Sequence, residues 1–153
     1  MSNHPSSSRV QQEIGKEIVE AFFKKLEAPF APEKDFLLEN TLGHKCKVKI
    51  DGYSKDPPIL CEAWVNCEKP KGGQPSKIMK DALKLLFTEK CLKKKHRKVL
   101  LFCDEVPREY FTTRKSWQAE CLQDYGIETE VCHLSEKQKQ RLKEAKKLQQ
   151  APK

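Results

Sequence analysis

Asp51 and Glu62 are the residues of this 153-residue chain whose types and spacing best suit chemistry on a substrate. Asp51 ends a segment, residues 45–51, in which apolar and polar residues alternate as in a half-buried strand. Glu62 lies inside an apolar segment, residues 59–66, beyond a turn rich in Gly, Asp and Pro. The two segments predict an antiparallel hairpin, in which cross-strand neighbours lie about 5 Å apart. If the strand register places both side chains on the same side, the two carboxylates repel unless a cation lies between them, and Mg²⁺ prefers oxygen ligands of this kind.

Glu62 is the more informative of the two carboxylates. Its neighbours along the chain are apolar, and burying a carboxylate among them without a partner is costly. An alternative stays open, in which Glu62 lies on an edge strand and pairs with Lys47 or Lys49 of the neighbouring strand. In that case the carboxylate has a structural role only.

A narrow polar stripe follows on the next predicted helix, which runs from Pro75 to about Lys90. Its residues are spaced three and four apart, as are residues on one face of a helix: Gln74, Lys77, Asp81, Lys84 and Thr88. Lys77 lies in the first turn, nearest the hairpin, where it could contact a phosphate or orient a water molecule. Asp81 is expected to pair with both Lys77 and Lys84. A solvated helix face with ordinary ion pairs is the alternative.

The elements around these residues predict an α/β fold with a central mixed sheet of four to five strands flanked by helices. Hydrophobic periodicity predicts helices over residues 9–27, 75–90 and 107–124, with Trp117 and Leu122 as core anchors of the third. Strands are expected at 36–39, 45–51, 59–66, 99–103 and 127–134. Ser135 and Gln138 form a capping-box pattern before a charged terminal helix. The expected organisation is a disordered N-terminus (1–8), one domain (9–134) and a basic helix or tail (135–153).

This order, with Ile50-Asp51 before the turn and Cys61-Glu62-Ala63-Trp64 after it, resembles the PD-(D/E)XK superfamily of restriction-endonuclease-like nucleases. It is similar in particular to small uncharacterised bacterial members with a Glu-Ala-Trp strand followed by a Gln-x-x-Lys helix. The resemblance covers roughly residues 9–134. It implies a restriction-endonuclease-like sandwich in which Asp51 and Glu62 bind Mg²⁺ or Mn²⁺ and the metal activates water for attack on a phosphodiester.

The chain departs from that family at one important position. The family motif is Glu-x-Lys, and Trp64 stands where the lysine is expected. Some members supply the lysine from the following helix, which makes Lys77 the candidate here. The family often adds a glutamate from its first helix, and Glu13 is favoured over Glu17 because residues 12–15 resemble the bacterial members. The resemblance therefore implies Asp51, Glu62, Lys77 and Glu13 as the catalytic set.

The net charge of +8 is concentrated in two places. A run of five basic residues and the segment 135–153 each carry +5, which leaves the remainder slightly acidic. Such segments could hold a phosphate backbone without reading its sequence, although a solvated loop and helix would have the same charge. The candidate nucleic-acid contacts are Lys93, Lys94, Lys95, Arg97, Lys98 and Arg114.

Seven cysteines without a zinc-type spacing, several within apolar segments, favour a reduced protein in the cytoplasm over a disulfide scaffold. There is no run of about 20 apolar residues and no apolar secretory segment, so no membrane association is expected.

Three functions remain compatible with this sequence. The first is a metal-dependent nuclease that hydrolyses DNA or RNA phosphodiesters. The second and third are a catalytically inactive nucleic-acid-binding module and a protein-interaction module, because Trp64 replaces the expected lysine. DNA is favoured over RNA as the partner, and a homodimer is compatible because enzymes that cut both strands are often dimers.

Overall fold

The computed structural model describes residues 7–113 and 115–150. It contains five helices and five strands within these residues. In chain order they are α1 (Ser7–Lys25), β1 (Ala31–Glu39), β2 (Lys45–Ser54), β3 (Ile59–Trp64), α2 (Gln74–Leu92), β4 (Arg97–Phe102), α3 (Glu105–Thr112), α4 (Trp117–Asp124), β5 (Ile127–Val131) and α5 (Glu136–Gln150).

The five strands form one open mixed sheet in the order β1-β2-β3-β4-β5. β1, β2 and β3 pair antiparallel, whereas β3, β4 and β5 pair parallel. Parallel neighbours need a crossover, and α2 supplies it between β3 and β4, while α3 and α4 supply it between β4 and β5. The predicted α/β fold, with a mixed sheet flanked by helices, is confirmed.

Helices cover both faces of the sheet because β3 and β4 are apolar on both sides. On one face α1 and α5 pack against residues such as Cys61, Val99 and Leu101. On the other face α2, α3 and α4 pack against Leu60 and Leu100 and their neighbours. The buried residues of the strands therefore belong to one of two cores, and the side on which a polar residue points decides which helix it can reach.

The close approach of α1 to the sheet depends on Gly52 of β2. A Cβ atom at this position would lie 2.5 Å from Cγ1 of Val19 and 2.8 Å from Cε2 of Phe23. Both distances are far shorter than van der Waals contact, so a side chain here would displace α1 from β2.

Two expectations about individual elements are wrong. The helix predicted over 107–124 is two helices, because Asp104 caps α3 and Ser116 begins a new helix by accepting a hydrogen bond from the Ala119 N–H at 3.2 Å. Trp117, expected as a core anchor, is 67% exposed at the start of α4. Leu122 is buried as expected. The first strand is also longer than predicted and begins at Ala31.

α5, expected as a basic appendage, packs on α1. Leu142 and Ala145 are buried in the core beneath it. Arg141 adds ion pairs, with its Nη1 atom 2.8 Å from the Glu17 carboxylate. None of the described helices is long and apolar enough to cross a membrane.

Candidate functional site

Asp51 and Glu62 lie next to each other on β2 and β3, as the hairpin pattern predicts. The last ladder pair is Gly52 with Cys61, so Asp51 and Glu62 are the next residues along the two strands. Asp51 Oδ2 accepts a hydrogen bond from the Ala63 N–H at 2.9 Å, and its carboxyl group is also hydrogen-bonded to that of Glu62. The Glu62 side chain is only 3% exposed. Two carboxyl groups therefore meet at a point that is largely closed to water.

Lys84 of α2 is the cation nearest to this pair. Its Nζ atom lies 2.6 Å from Glu62 Oε1, and its side chain is 31% exposed. Leu60 and Trp64 belong to the core on the α2 side of the sheet, and Glu62 shares that side, which explains the contact. The expected alternative partners, Lys47 and Lys49, are instead exposed on β2. A lysine does pair with Glu62, but it comes from the helix and not from the neighbouring strand.

The protonation properties of this cluster follow from burial and from the number of carboxyl groups. Burial, and next the hydrogen bond and charge of Asp51, raise the pKa of Glu62 to about 10, although Lys84 opposes this. Burial raises the pKa of Asp81 as well, and the charge of Asp51 adds to the effect. Burial lowers the pKa of Lys84, but the Glu62 carboxylate, Asp81 and Asp51 raise it by more. The cluster has more carboxyl groups than cations.

A cavity of about 310 Å³ opens beside the Asp51 carboxyl group, and the buried Glu62 does not itself line it. Asp51, Trp64, Lys77 and Asp81 line one side of it, and α1 forms the opposite wall. The lining residues from α1 are Gln11, Gln12, Gly15, Lys16 and Val19. A small anionic group entering this cavity would meet the cations of Lys16 and Lys77 and amide side chains. It would also meet the carboxyl groups of Asp51, Asp81 and Glu33, of which Glu33 lies 3.3 Å from Lys16.

Lys77 reaches the cavity but does not contact Glu62. Its Nζ atom lies 5.6 Å from the centroid of the Trp64 ring, within range of a cation–π interaction. α2 begins near the end of β3 and passes back over it. Lys77 in the first turn therefore meets Trp64, whereas Lys84, two turns later, meets Glu62.

Glu13 is not brought to the cavity. It lies on the side of α1 that faces α5, where its Oε2 atom is 3.2 Å from Arg141 Nη2, and a second contact joins it to Arg9 at 3.4 Å. Glu17 lies on the same side. Burial raises the pKa of Glu17, but hydrogen bonds from Gln138 and Arg141 lower it by more. Both glutamates therefore serve the contact between α1 and α5.

The basic residues expected to bind nucleic acid divide into two groups. Arg97 pairs with Glu128 at 2.8 Å and with Glu130 at 3.2 Å. Lys98 is buried and pairs with Glu89 at 2.7 Å. The remaining members of the run, Lys93, Lys94 and Lys95, are exposed. Arg114 lies outside the described residues.

Sequence patterns indicated Lys84 and Asp81 only as members of the polar stripe. The contact of Lys84 with Glu62 depends on how far along β3 the helix lies, and residue spacing does not contain that information. The contribution of Gln12 and Lys16 to the cavity was missed, because which side of α1 faces β2 is set by Gly52.

Within residues 7–113 and 115–150, no group of three or more His, Cys, Asp or Glu side chains is arranged to hold a metal ion. The donors that meet are the two carboxyl groups of Asp51 and Glu62. No family model matches the chain, and comparisons with curated proteins and with solved structures found no match either. The resemblance to PD-(D/E)XK nucleases therefore stays a prediction.

Proposed function

We propose that this protein is a metal-dependent nuclease, or a nuclease-like protein, that acts on phosphodiester bonds of DNA or RNA on a restriction-endonuclease-like PD-(D/E)XK scaffold. The observation that carries the proposal is the meeting of the buried Glu62 with Asp51, which lines an open cavity. The order of the mixed sheet, with Asp51 and Glu62 on its central hairpin and helices on both faces, supports the same scaffold.

The donor set fits a hard divalent cation. In the protein alone, the raised pKa of Glu62 means that this carboxyl group retains a proton and donates it to a neighbouring oxygen. A cation between Asp51 and Glu62 would replace that proton and balance the charge, and carboxylate oxygens are the ligands that Mg²⁺ and Mn²⁺ prefer. Such an ion would lower the pKa of a bound water molecule and offset charge on a phosphoryl group.

The remaining residues have separate tasks in this proposal. Lys84 holds the Glu62 carboxyl group in place by its 2.6 Å contact, so that Glu62 is fixed before a ligand arrives. Lys77 is exposed at the cavity and supplies positive charge for a phosphate of the substrate. Trp64 occupies the motif position of the family lysine and positions the Lys77 ammonium through its ring.

A catalytically inactive nucleic-acid-binding or protein-interaction module is the second candidate. The observation that favours it is the contact itself, because the Lys84 ammonium lies 2.6 Å from Glu62 Oε1, an atom that a metal would use. With Trp64 at the motif position, the fold could persist for its surface alone.

Calorimetric titration of the protein with MnCl₂ tests the metal site. We expect one site in the parent protein and a loss of affinity of more than about tenfold in Asp51→Asn and Glu62→Gln, because removal of even an outer-shell partner costs about that much. Glu20→Gln is the matched control, since Glu20 is an exposed glutamate on α1 outside the cavity. Absence of binding in the parent protein would overturn the nuclease proposal.

Cleavage assays then separate the two candidates. Supercoiled plasmid, single-stranded DNA and RNA are incubated with the protein and Mn²⁺, and the products are resolved on gels. Cleavage that disappears in Asp51→Asn and persists in Glu20→Gln supports the nuclease. Metal binding with all three substrates intact supports the inactive module. A loss of cleavage in Lys77→Met with unchanged Mn²⁺ affinity would support a role for Lys77 toward the phosphate.

A further inference from the structure

Two cysteine thiols meet at the edge of the sheet where the parallel strands end. Cys67 Sγ and Cys103 Sγ lie 3.4 Å apart, although 36 residues separate them in the chain. Their proximity follows from the parallel pairing of β3 and β4, in which Trp64 is opposite Phe102. Cys103 directly follows β4, and Cys67 lies three residues beyond β3, so both leave the sheet at the same edge.

The two thiols are chemically unequal. The hydrogen bond from Cys103 lowers the pKa of Cys67 to about 7, burial opposes this, and the charges of Lys139 and Lys146 on α5 lower it further. The hydrogen bond to Cys67, and next burial, raise the pKa of Cys103. Cys67 is partly exposed, whereas Cys103 is 1% exposed. Cys67 therefore has the properties of an attacking thiolate, and Cys103 those of a protected second thiol.

We propose that Cys67 and Cys103 form a redox-active pair that low-molecular-weight disulfides such as glutathione disulfide convert into an intramolecular disulfide. The Cys67 thiolate attacks one sulfur of glutathione disulfide, which forms a mixed disulfide and releases one glutathione. Cys103 loses its proton and attacks Cys67 Sγ, which forms the protein disulfide and releases the second glutathione. Two protein thiols are oxidised, one disulfide is reduced, and both protons end on the glutathione thiols.

The second step needs only a short movement. The two sulfur atoms must approach from 3.4 Å to the length of a disulfide bond, about 2.05 Å. Cys67 belongs to the connection between β3 and α2, and the movement can take place there without displacing the buried Cys103. Cys61 and Cys132 are poorer attackers, because burial raises the pKa of Cys61 well above its usual value and partial burial raises the pKa of Cys132.

Oxidation would attach the segment after β3 to the end of β4. Val65 and Asn66, which precede Cys67 in this segment, line the cavity beside Asp51. The bond would therefore fix one wall of the cavity. This inference depends on the two thiols and their surroundings, and it holds whether or not the protein is a nuclease.

Peptide mapping after equilibration in glutathione buffers tests the pair. The full chain is oxidised with glutathione disulfide, blocked with N-ethylmaleimide and digested with trypsin, which leaves Cys67 in peptide 56–71 and Cys103 in peptide 99–108. We expect these two peptides to be disulfide-linked in the parent protein and in the control Cys121→Ser. The link should be absent in Cys67→Ser, although Cys61 remains on the same peptide.

Alkylation rates provide a measurement that needs no variant. In the reduced parent protein at pH 7, iodoacetamide should modify Cys67 at least about tenfold faster than Cys103. A persistent glutathione adduct on Cys67 without the linked peptides, a link that survives in Cys67→Ser, or equal alkylation of both thiols would each overturn the proposal.

Discussion

Helix α2 makes two ion pairs with the sheet, and they have nearly equal lengths but opposite arrangements. Lys84 meets Glu62 of β3 at 2.6 Å, and Glu89 meets Lys98 of β4 at 2.7 Å. In the first pair the strand supplies the carboxylate, which is 3% exposed. In the second pair the strand supplies the lysine, which is 8% exposed, and the helix supplies the carboxylate.

The surroundings make the two pairs behave differently. Glu89 accepts hydrogen bonds from Lys98 Nζ and from the His96 N–H, both of which stabilise its charge. Burial raises the pKa of Glu89, but these contacts lower it by more. Glu62 is more deeply buried and faces a second carboxyl group, so burial, and next Asp51, raise its pKa to about 10. The length of an ion pair therefore does not reveal the charge state of its carboxyl group, which depends on burial and on the neighbouring groups.

Substituting the lysine of each pair should give the largest difference in stability between the two pairs. Lys98→Met leaves the ionised Glu89 without its cation, and we expect a loss of about 3 kcal/mol in the free energy of unfolding, the low end for a broken buried pair because Glu89 keeps some contact with water. Lys84→Met should cost less, because Glu62 can keep its proton and its hydrogen bond to Asp51. Urea unfolding measures both, with Lys95→Met as an exposed control. An equal or larger loss for Lys84→Met would contradict the comparison.

The two carboxyl groups should also differ in the sign of their pH dependence. The pKa of Glu62 is raised from 4.5 to about 10 on folding. Its contribution to the free energy of unfolding is therefore fully present below pH 4.5 and is lost as the pH rises toward 10. The slope is at most about 1.4 kcal/mol per pH unit for one proton. Glu62→Gln should therefore flatten the decline in stability of the parent protein between pH 5 and pH 8.

Glu89 has the opposite sign because its pKa is lowered on folding. Its contribution is present above pH 4.5 and is lost as the pH falls through the lowered pKa. Glu89→Gln should remove part of the acid sensitivity below pH 4.5 and leave the decline between pH 5 and pH 8 unchanged. Urea midpoints across this range measure both variants. The same pH profile in Glu62→Gln and Glu89→Gln would show that the two pairs do not differ.

Under the proposed function, Mn²⁺ should distinguish the two pairs further, because it competes with the proton of Glu62. We expect up to about one proton to be released for each Mn²⁺ bound, and affinity to rise by up to about tenfold per pH unit between pH 6 and pH 8. Titration calorimetry in two buffers of different ionisation enthalpy measures the number of protons. Binding without proton release would argue against Glu62 as a ligand.

The exposed lysines near the second pair should have the smallest effect on stability. Replacing Lys93, Lys94 and Lys95 with Gln should leave the urea midpoint unchanged, because all three are solvated. If nucleic acid binds at this run, the slope of the logarithm of the binding constant against the logarithm of the salt concentration should become less steep. Each lost phosphate contact should reduce the slope by about 0.9, and up to about three contacts are lost. Binding to a labelled duplex at several salt concentrations measures this. An unchanged slope would exclude these lysines as phosphate contacts.

The sequence was informative where a pattern depends on one strand or one helix. Alternation placed Asp51 and Glu62 on a hairpin, and apolar runs placed β4 inside the sheet. It was not informative where two elements must be placed relative to each other. Lys77 and Lys84 lie on one stripe, and only the path of α2 over β3 decides which of them meets Glu62.

Other features that the sequence did not predict also depend on how elements are placed relative to each other. Glu13 and Gln12 are neighbours on α1, yet one meets Arg141 of α5 and the other lines the cavity. The rotation of α1 about its own axis decides this, and apolar periodicity defines that rotation only coarsely. The break between α3 and α4 was missed because Ser116 caps a helix inside a segment whose composition suits one continuous helix.

Gly52 is a position at which even a small side chain would disturb the packing of α1 on the sheet. The residue has no side chain and no chemistry of its own, yet the space it leaves open is filled by Val19 and Phe23 of α1. Val19 also lines the cavity, as does Asp51, which directly precedes Gly52 in the chain. A methyl group added at Gly52 would therefore push Val19 and Phe23 away from β2 and widen the cavity, although none of the residues that line the cavity would be changed.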